Sequence, residues 1–279
     1  MTVTIIGVGL MGGSLAISLK ENRLARHIIG VDQSETNLQK AKILGLIDEY
    51  CSLPEAISKS TLVILAVPVD AMIAILPEIL NLITDQVVMD MGSTKANLIS
   101  AIANHPKRGR FVPTHPMWGT EYSGPEAAVS GGFVNKAVVL CNVNDVDTDA
   151  LSIVKSLYQK IGMYLVYMDA QAHDLHAAYV SHISHITSFA LANTVLEKEK
   201  EDNAIFEIAS AGFESTVRLA KSNPDMWVPI FRQNRENVLD VLNEHISQLK
   251  KFKSCLEKEN YTYLRALIEN ANGIRKILE

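Results

Sequence analysis

Two short segments of this chain carry residue types that could move a proton. In Thr114-His115-Pro116-Met117-Trp118-Gly119-Thr120-Glu121, an imidazole stands directly before a proline, just past an apolar run. The proline biases His115 towards extended backbone, which suits an imidazole held in place as a proton acceptor. The residues alone leave that role open. In Asp90-Met91-Gly92-Ser93-Thr94-Lys95, Ser93 falls at a predicted helix entrance. Its hydroxyl there serves either chemistry or the capping of the helix.

The N-terminus suggests what such a proton transfer accompanies. Gly7-Val8-Gly9-Leu10-Met11-Gly12 matches GxGxxG, follows an apolar run and opens a helical pattern. In that setting Gly7 permits the tight turn, Gly9 lets backbone approach a pyrophosphate, and Gly12 lets helix and strand pack closely. The helix start, including Leu10 and Met11, offers free N–H groups to phosphate. Asp32 lies 20 residues after Gly12, at the end of a second apolar run. A carboxylate there accepts from both adenine-ribose hydroxyls and repels a 2′-phosphate, so NAD is expected rather than NADP. Ala66-Val67-Pro68 ends a later strand where nicotinamides lie in such sheets; it reads equally as small residues admitting the cofactor or as a plain strand-ending proline.

No metal is expected. His173, His176, His182 and His185 share one helical pattern, and at about 100° per residue the first two face away from the last two. His185 reads as pocket-lining, the other three as helix packing or surface. Cys51, Cys141 and Cys255 are widely spaced and odd in number, against a disulfide framework or zinc cage. A net charge of −5 gives no basic footprint for nucleic acid. No signal peptide is visible, and no apolar window approaches the ~20 residues of a membrane span. A cytoplasmic location is expected.

The elements that must position these residues follow an α/β pattern. Strands are predicted at Val3–Gly7, Ile28–Val31, Leu62–Val67, Val87–Met91, Phe111–Pro113, Ala137–Cys141 and Tyr164–Met168. Helical patterns lie between them, as at Glu35–Leu44, Ala71–Leu80, Lys95–Ala103 and Asp149–Ile161. Near-continuous apolar runs suit strands buried on both faces of a parallel sheet. This alternation predicts an N-terminal doubly wound Rossmann-type domain over residues 1–168. Residues 169–279 read as an all-α domain. A long helical pattern runs from Ala170 to about Leu196, and the charged stretch Glu197–Asp202 reads as its solvated end. Asn223-Pro224 marks a cap, and Pro229 either starts or kinks the next helix. Phe231, Val238, Leu242, Leu249, Phe252 and Leu256 fall near one face of a helix, either as internal packing or as the seam of a homodimer.

These segments together closely resemble the prephenate and arogenate dehydrogenases of tyrosine biosynthesis. The family's GxGLxGxS opening appears from Gly7 to Ser14, its aspartate-to-lysine segment from Asp90 to Lys95, and its HPMxG motif from His115 to Gly119. His173-Asp174 and Ser181-His182-Ile183-Ser184-His185 match its HD and SHLPH motifs. Gly212-Phe213 through Arg218-Leu219-Ala220, then Asn223 to Trp227, match its GFRDTTRIA and DPxMW run. The resemblance implies an oxidative decarboxylation: hydride leaves C4 of a cyclohexadienol for NAD and the ring carboxylate departs as CO2. It implies that His115 accepts the 4-hydroxyl hydrogen bond, that Ser93 holds that hydroxyl or orients His115, and that Arg218 binds a carboxylate, in its own subunit or across a dimer. Glu121, His185 and Trp227 would shape the pocket, Trp227 serving equally as a core or interface aromatic.

Several positions depart from the family pattern. Glu214 and Ser215 stand where it has arginine and aspartate, Ser184 replaces a proline, and Trp118 replaces a smaller residue. Prephenate is the expected substrate, giving 4-hydroxyphenylpyruvate, with arogenate giving tyrosine as the alternative. The rivals are a β-hydroxyacid dehydrogenase or imine reductase, which would need a lysine or another acid in the helical domain, and a non-catalytic NAD sensor. With the chain ending in helical pattern at Glu279, and no mutase-like segment before Met1, any tyrosine inhibition is expected at the active site near His185.

Overall fold

A computed structural model of the chain describes residues 1–200 and 205–277. Its contacts divide it into a unit from Met1 to Asn234 and a second from Arg235 to Glu279.

The first unit is built on a parallel sheet whose strands are among the most apolar stretches of the chain. Strands β1 (Thr2–Ile6), β2 (His27–Val31), β3 (Glu49–Tyr50), β4 (Leu62–Leu65), β5 (Val87–Asp90) and β6 (Phe111–Val112) lie in the order β3-β2-β1-β4-β5-β6. All pairings are parallel. Side chains alternate between the two faces. Val3, Ile5, Leu62, Ile64, Val87 and Met89 enter one core, while Ile6, Val63, Leu65 and Val88 enter the other. Helices fill the crossovers: α1 (Leu10–Glu21), α2 (Glu35–Ile43), α3 (Leu53–Lys59), α4 (Val69–Leu82) and the short α5 (Ala96–Ser100). The strand order reverses between β1 and β4, which opens a crevice at their carboxyl ends. Strand β4 stops at Leu65 rather than Val67, so Ala66-Val67-Pro68 forms the lip of that crevice.

The chain then leaves this sheet. Pro113 separates β6 from β7 (Thr114–Pro116), which pairs antiparallel with β8 (Ala137–Cys141), itself parallel to β9 (Tyr164–Met168). These three strands form a separate sheet, not a continuation of the first as the apolar pattern suggested. Proline offers no backbone donor, and a strand with Tyr164 and Tyr167 exposed is not sandwiched between helix layers. His115 therefore lies within a strand rather than beyond one. Helix α6 (Thr148–Lys160) connects β8 to β9.

The helical pattern from Ala170 resolves into α7 (Ala170–Ala177), a π turn (Ala178–His182) and α8 (Ile183–Glu199). Lys200 caps α8, while Glu201 and Asp202 of the charged stretch lie outside the described residues. Helix α9 (Ala211–Val217) leads into a 3-10 turn at Arg218–Lys221, followed by α10 (Pro224–Gln233). Asn223 caps α10 by accepting from the Asp225 N–H, and Pro229 lies inside it, so the helix starts at Pro224. Helix α10 is tied to the start of α4, where Asp70 accepts from Arg232 and Gln233.

The second unit comprises α11 (Arg235–Glu257), α12 (Tyr261–Ala271) and a 3-10 turn at Asn272–Lys276. Phe231 belongs to α10, so the apolar face proposed from sequence does not begin there. Asn234 ends α10 with non-helical dihedrals and interrupts the spacing. On α11, Leu239, Ile246, Leu249 and Leu256 are exposed along one stripe. Among the described residues no helix is long and apolar enough to cross a membrane.

Candidate active site

The glycine loop turns from β1 into α1 at the crevice. Gly7 adopts φ +94°, and a Cβ there would fall 2.5 Å from the Ala66 carbonyl oxygen. A Cβ on Gly12 would fall 2.0 Å from the Gly7 carbonyl oxygen. The fold itself demands glycine at both positions. At Gly9 it does not: a Cβ would meet nothing nearer than 4.0 Å. That open cradle sits at the start of α1, whose first turn has neither a side-chain cap nor an acidic residue. Free N–H groups and a positive dipole end therefore face it, which fits a nucleotide phosphate. Asp32 accepts from the N–H of Val8 at 3.1 Å and of Ser34 at 2.9 Å. Each carboxylate oxygen keeps a further acceptor site for a ribose hydroxyl.

A cavity of about 340 Å³ opens beside this loop. Leu10 and Met11 line one end, and Ser93 and His115 line the wall beyond them. Glu121, His185, Arg218 and Trp227 complete it, so all six substrate-side residues expected from the sequence border one cavity of a single chain. The departures Glu214 and Ser215 do not line it. Both are exposed on α9, where the Ser215 hydroxyl donates to the Gly212 carbonyl. Trp118 does line it, with its ring against Phe133 and over Gly132, where a Cβ would fall 2.4 Å from the indole.

The wall bearing Ser93 and His115 is fixed by buried polar groups to which the sequence reading gave no role. Asp90, wholly buried, accepts from the N–H groups of Thr114 and Gly92 and from the buried Lys95 ammonium. One carboxylate thereby ties the end of β5 to the start of β7. Ser93 is not the cap of α5. Instead the Asp174 carboxylate accepts from Lys95 N–H at 2.8 Å and Ala96 N–H at 2.9 Å, and α5 is shorter than expected.

His173 is likewise not a surface or packing residue. It is buried, with Nε2 2.8 Å from His115 Nδ1, and its Nδ1 donates to Asp174 at 2.8 Å. His182 is also buried; Asn234 Nδ2 donates both to its Nδ1 and to the Asp174 carbonyl. A π turn lies between His173 and His185, and its i→i+5 hydrogen bonding shifts the phase of His185 relative to His173 from that of one continuous α-helix. Only His176 of the four stays exposed. An acid adjoining a histidine inside an otherwise apolar helical pattern was the available signal.

Burial holds His115 well below the usual imidazole range, and His173, Lys95 and His182 push in the same direction. It is therefore neutral at neutral pH, an acceptor rather than a cation. His185 is also lowered, first by burial; its Nδ1–H donates to the Ser181 carbonyl, and its ring stacks on Trp227 with centroids 3.4 Å apart. Arg218 is half-exposed and donates to Glu121 at 2.9 Å. Its segment is pinned where the Ser188 hydroxyl donates to the Thr216 carbonyl. The Glu121 carboxyl is held below its usual range by its own backbone N–H and by Arg218. The site thus presents a neutral imidazole, a hydroxyl, a guanidinium and an aromatic wall beside a phosphate-binding loop.

Residues 15–167 match the family model for the nucleotide-binding domain of prephenate dehydrogenase, and residues 169–270 match that for its dimerization domain. The chain is 30% identical to the prephenate dehydrogenase of Bacillus subtilis, over 98% of this chain and 75% of that protein. It is 29% identical to the cyclohexadienyl dehydrogenase of Zymomonas mobilis, over 99% of this chain and 96% of that one. Among solved structures, prephenate dehydrogenase from A. aeolicus, in complex with hydroxyphenyl propionate and NAD+, matches with a TM-score of 0.88 and 30% identity, covering 100% of this chain and 98% of that one. Sequence motifs, sheet order and these matches agree over nearly the whole length: the chain belongs to the prephenate dehydrogenase family.

Proposed function

We propose that this oxidoreductase catalyses the NAD-dependent oxidative decarboxylation of prephenate to 4-hydroxyphenylpyruvate. The observation that carries the reading is the single cavity in which Leu10 and Met11 of the glycine loop, His115, Ser93 and Arg218 converge. Gly7, Gly9, Gly12 and the α1 start would hold the pyrophosphate, Asp32 the adenine ribose, and Ala66-Val67-Pro68 the nicotinamide end. NAD, when bound, supplies an acceptor for the hydride from substrate C4.

The chain's own residues supply the rest. His115 accepts the hydrogen bond of the 4-hydroxyl and takes its proton as C4 becomes carbonyl-like. When the ring carboxylate leaves as CO2, the released electron pair aromatises the ring and the oxygen can recover that proton. Ser93 positions the same hydroxyl. Arg218 binds a substrate carboxylate, which competes with Glu121 for its guanidinium, and that planar group suits the bidentate task. His185 and Trp227 form the wall against the ring. Holding C4 beside the cofactor is itself a large part of the catalysis.

Residues 1–168 would bind the cofactor and contribute Ser93, His115 and Glu121 to the substrate cavity, and 169–279 would supply the rest of that cavity and the dimerisation surface. A homodimer through the helical part is supported by the dimerization-domain match and by the exposed stripe on α11.

The test is incubation of the protein with NAD and prephenate, then with arogenate, following NADH absorbance. Reduction with prephenate at the higher kcat/KM is expected, and NADP should serve less well because Asp32 opposes its 2′-phosphate. NAD binding without reduction by either substrate would instead identify a sensor. No lysine lines the cavity among the described residues, which disfavours the β-hydroxyacid dehydrogenase reading.

A further inference from the structure

His173 and Asp174 touch neither end of the reaction, yet they connect the two groups that would. Asp174 is 3% exposed and acceptor-only when ionised, and it receives three N–H donors: Lys95 N, Ala96 N and His173 Nδ1. A neutral His173 that donates from Nδ1 must accept at Nε2. The 2.8 Å contact to His115 Nδ1 is then a bond that His115 donates. That leaves His115 Nε2 with its lone pair, on a residue lining the cavity. The same carboxylate holds Lys95 and Ala96, the residues just after Ser93-Thr94. One acid thus sets both the tautomer of the imidazole and the path of the segment carrying the hydroxyl.

We propose that His173 and Asp174 are positioning residues: Asp174 orients His173, and His173 holds His115 as its Nδ1–H tautomer with an unprotonated Nε2 for the substrate hydroxyl. This rests on the reading of His115 as proton acceptor. It adds that a tertiary relay, not the His-Pro segment itself, makes His115 competent. In the opposite arrangement a doubly protonated His173 would donate to His115 Nδ1, leaving His115 Nε2 protonated and unable to accept.

Nitrogen-15 NMR of the histidine rings decides between the two without turnover. In the NAD-free protein at neutral pH, the His115 signals, assigned by their loss in His115→Asn, should show a protonated Nδ1 and a bare Nε2. A protonated Nε2 would overturn the proposal.

Kinetics give an independent arm. His173→Leu should lower kcat by roughly 10- to 100-fold, the scale for losing the partner that orients a functional imidazole, with the Kd for NAD changed less than about threefold. His173→Gln should recover most of that loss, because its amide oxygen can accept from His115 Nδ1–H while its N–H donates to Asp174. An unchanged kcat in His173→Leu, or a His173→Gln variant no better than Leu at equal thermal stability, would overturn it. Should the leucine variant fail to fold, the ring spectra of the wild type and of His173→Gln decide. If the wild type reduces NAD with neither substrate, the functional reading fails, while the spectra still report the tautomer.

Discussion

At the level of single residues, His115 and Arg218 do opposite electrostatic work. Burial keeps His115 neutral, with its protonation pushed well below the usual value of about 6.5. The acid limb of kcat/KM should therefore lie below pH ~6.5, the value at which an exposed histidine would place it. His115→Asn should lower kcat by roughly 10²- to 10⁴-fold, the usual worth of a positioned acid–base group, while the Kd for NAD from fluorescence quenching stays near that of the wild type. Near-normal turnover in that variant would remove His115 from its role. Arg218 is permanently charged and half-exposed, available to a carboxylate that displaces Glu121. Arg218→Ala should mainly raise the KM for prephenate, since the contact is made already in the ground state; an unchanged KM would assign carboxylate binding elsewhere. Both residues were visible in sequence through their motifs. Asp90, Lys95 and His173 fell within matched motifs but received no role in the site, and Asn234 went unnamed, because what marks their roles is burial and contact with partners distant in sequence.

Among the elements, the glycine loop and the π turn differ in how far local sequence dictates them. GxGxxG after an apolar strand specifies a tight turn and a close helix, and the distances at Gly7 and Gly12 give the reason. Gly12→Ala would put a methyl 2.0 Å from the Gly7 carbonyl oxygen. Overpacking of that kind costs roughly 1–3 kcal/mol and should appear as a lower Tm together with a weaker Kd for NAD. A variant with unaltered Tm and Kd would mean that the loop relaxes freely. The π turn at Ala178–His182 leaves no comparable mark in residue type. It exists where α7 and α8 must present Asp174 and His173 to α5 and β7 yet keep His185 on the cavity. Strand β3, only Glu49–Tyr50, was missed because two partly polar residues show no periodicity.

For the whole molecule, buried neutral histidines couple stability to pH. Burial chiefly lowers His182 to about 4, with Asp174 opposing and His173 and His185 assisting. Its unfolded counterpart takes a proton near 6.5, so between those values the unfolded chain binds more protons than the folded one. The contribution of His182 is thus complete above pH ~6.5 and lost as pH falls towards about 4, on the order of 3 kcal/mol. Denaturant melts at pH 7 and 4.5 should show that loss, and His182→Asn, whose amide oxygen can stand in for Nδ1, should shrink it; an undiminished pH dependence would exonerate His182. The exposed stripe on α11 makes a separate demand. Leu249→Glu should shift sedimentation from dimer towards monomer, and a dimer indifferent to it would place the interface elsewhere. The doubly wound class, the cofactor loop and, through the family resemblance, the reaction type could be read from the chain because each rests on local pattern: apolar runs, glycine spacing and motifs of adjacent residues. That Ala137–Cys141 and Tyr164–Met168 form their own sheet, that Ser93 is not a cap, and that His173 reaches His115 were decided only by the fold. Those facts depend on which distant groups share a desolvated interior, where each buried donor must find an acceptor, and that pairing is not written in the spacing of any one segment.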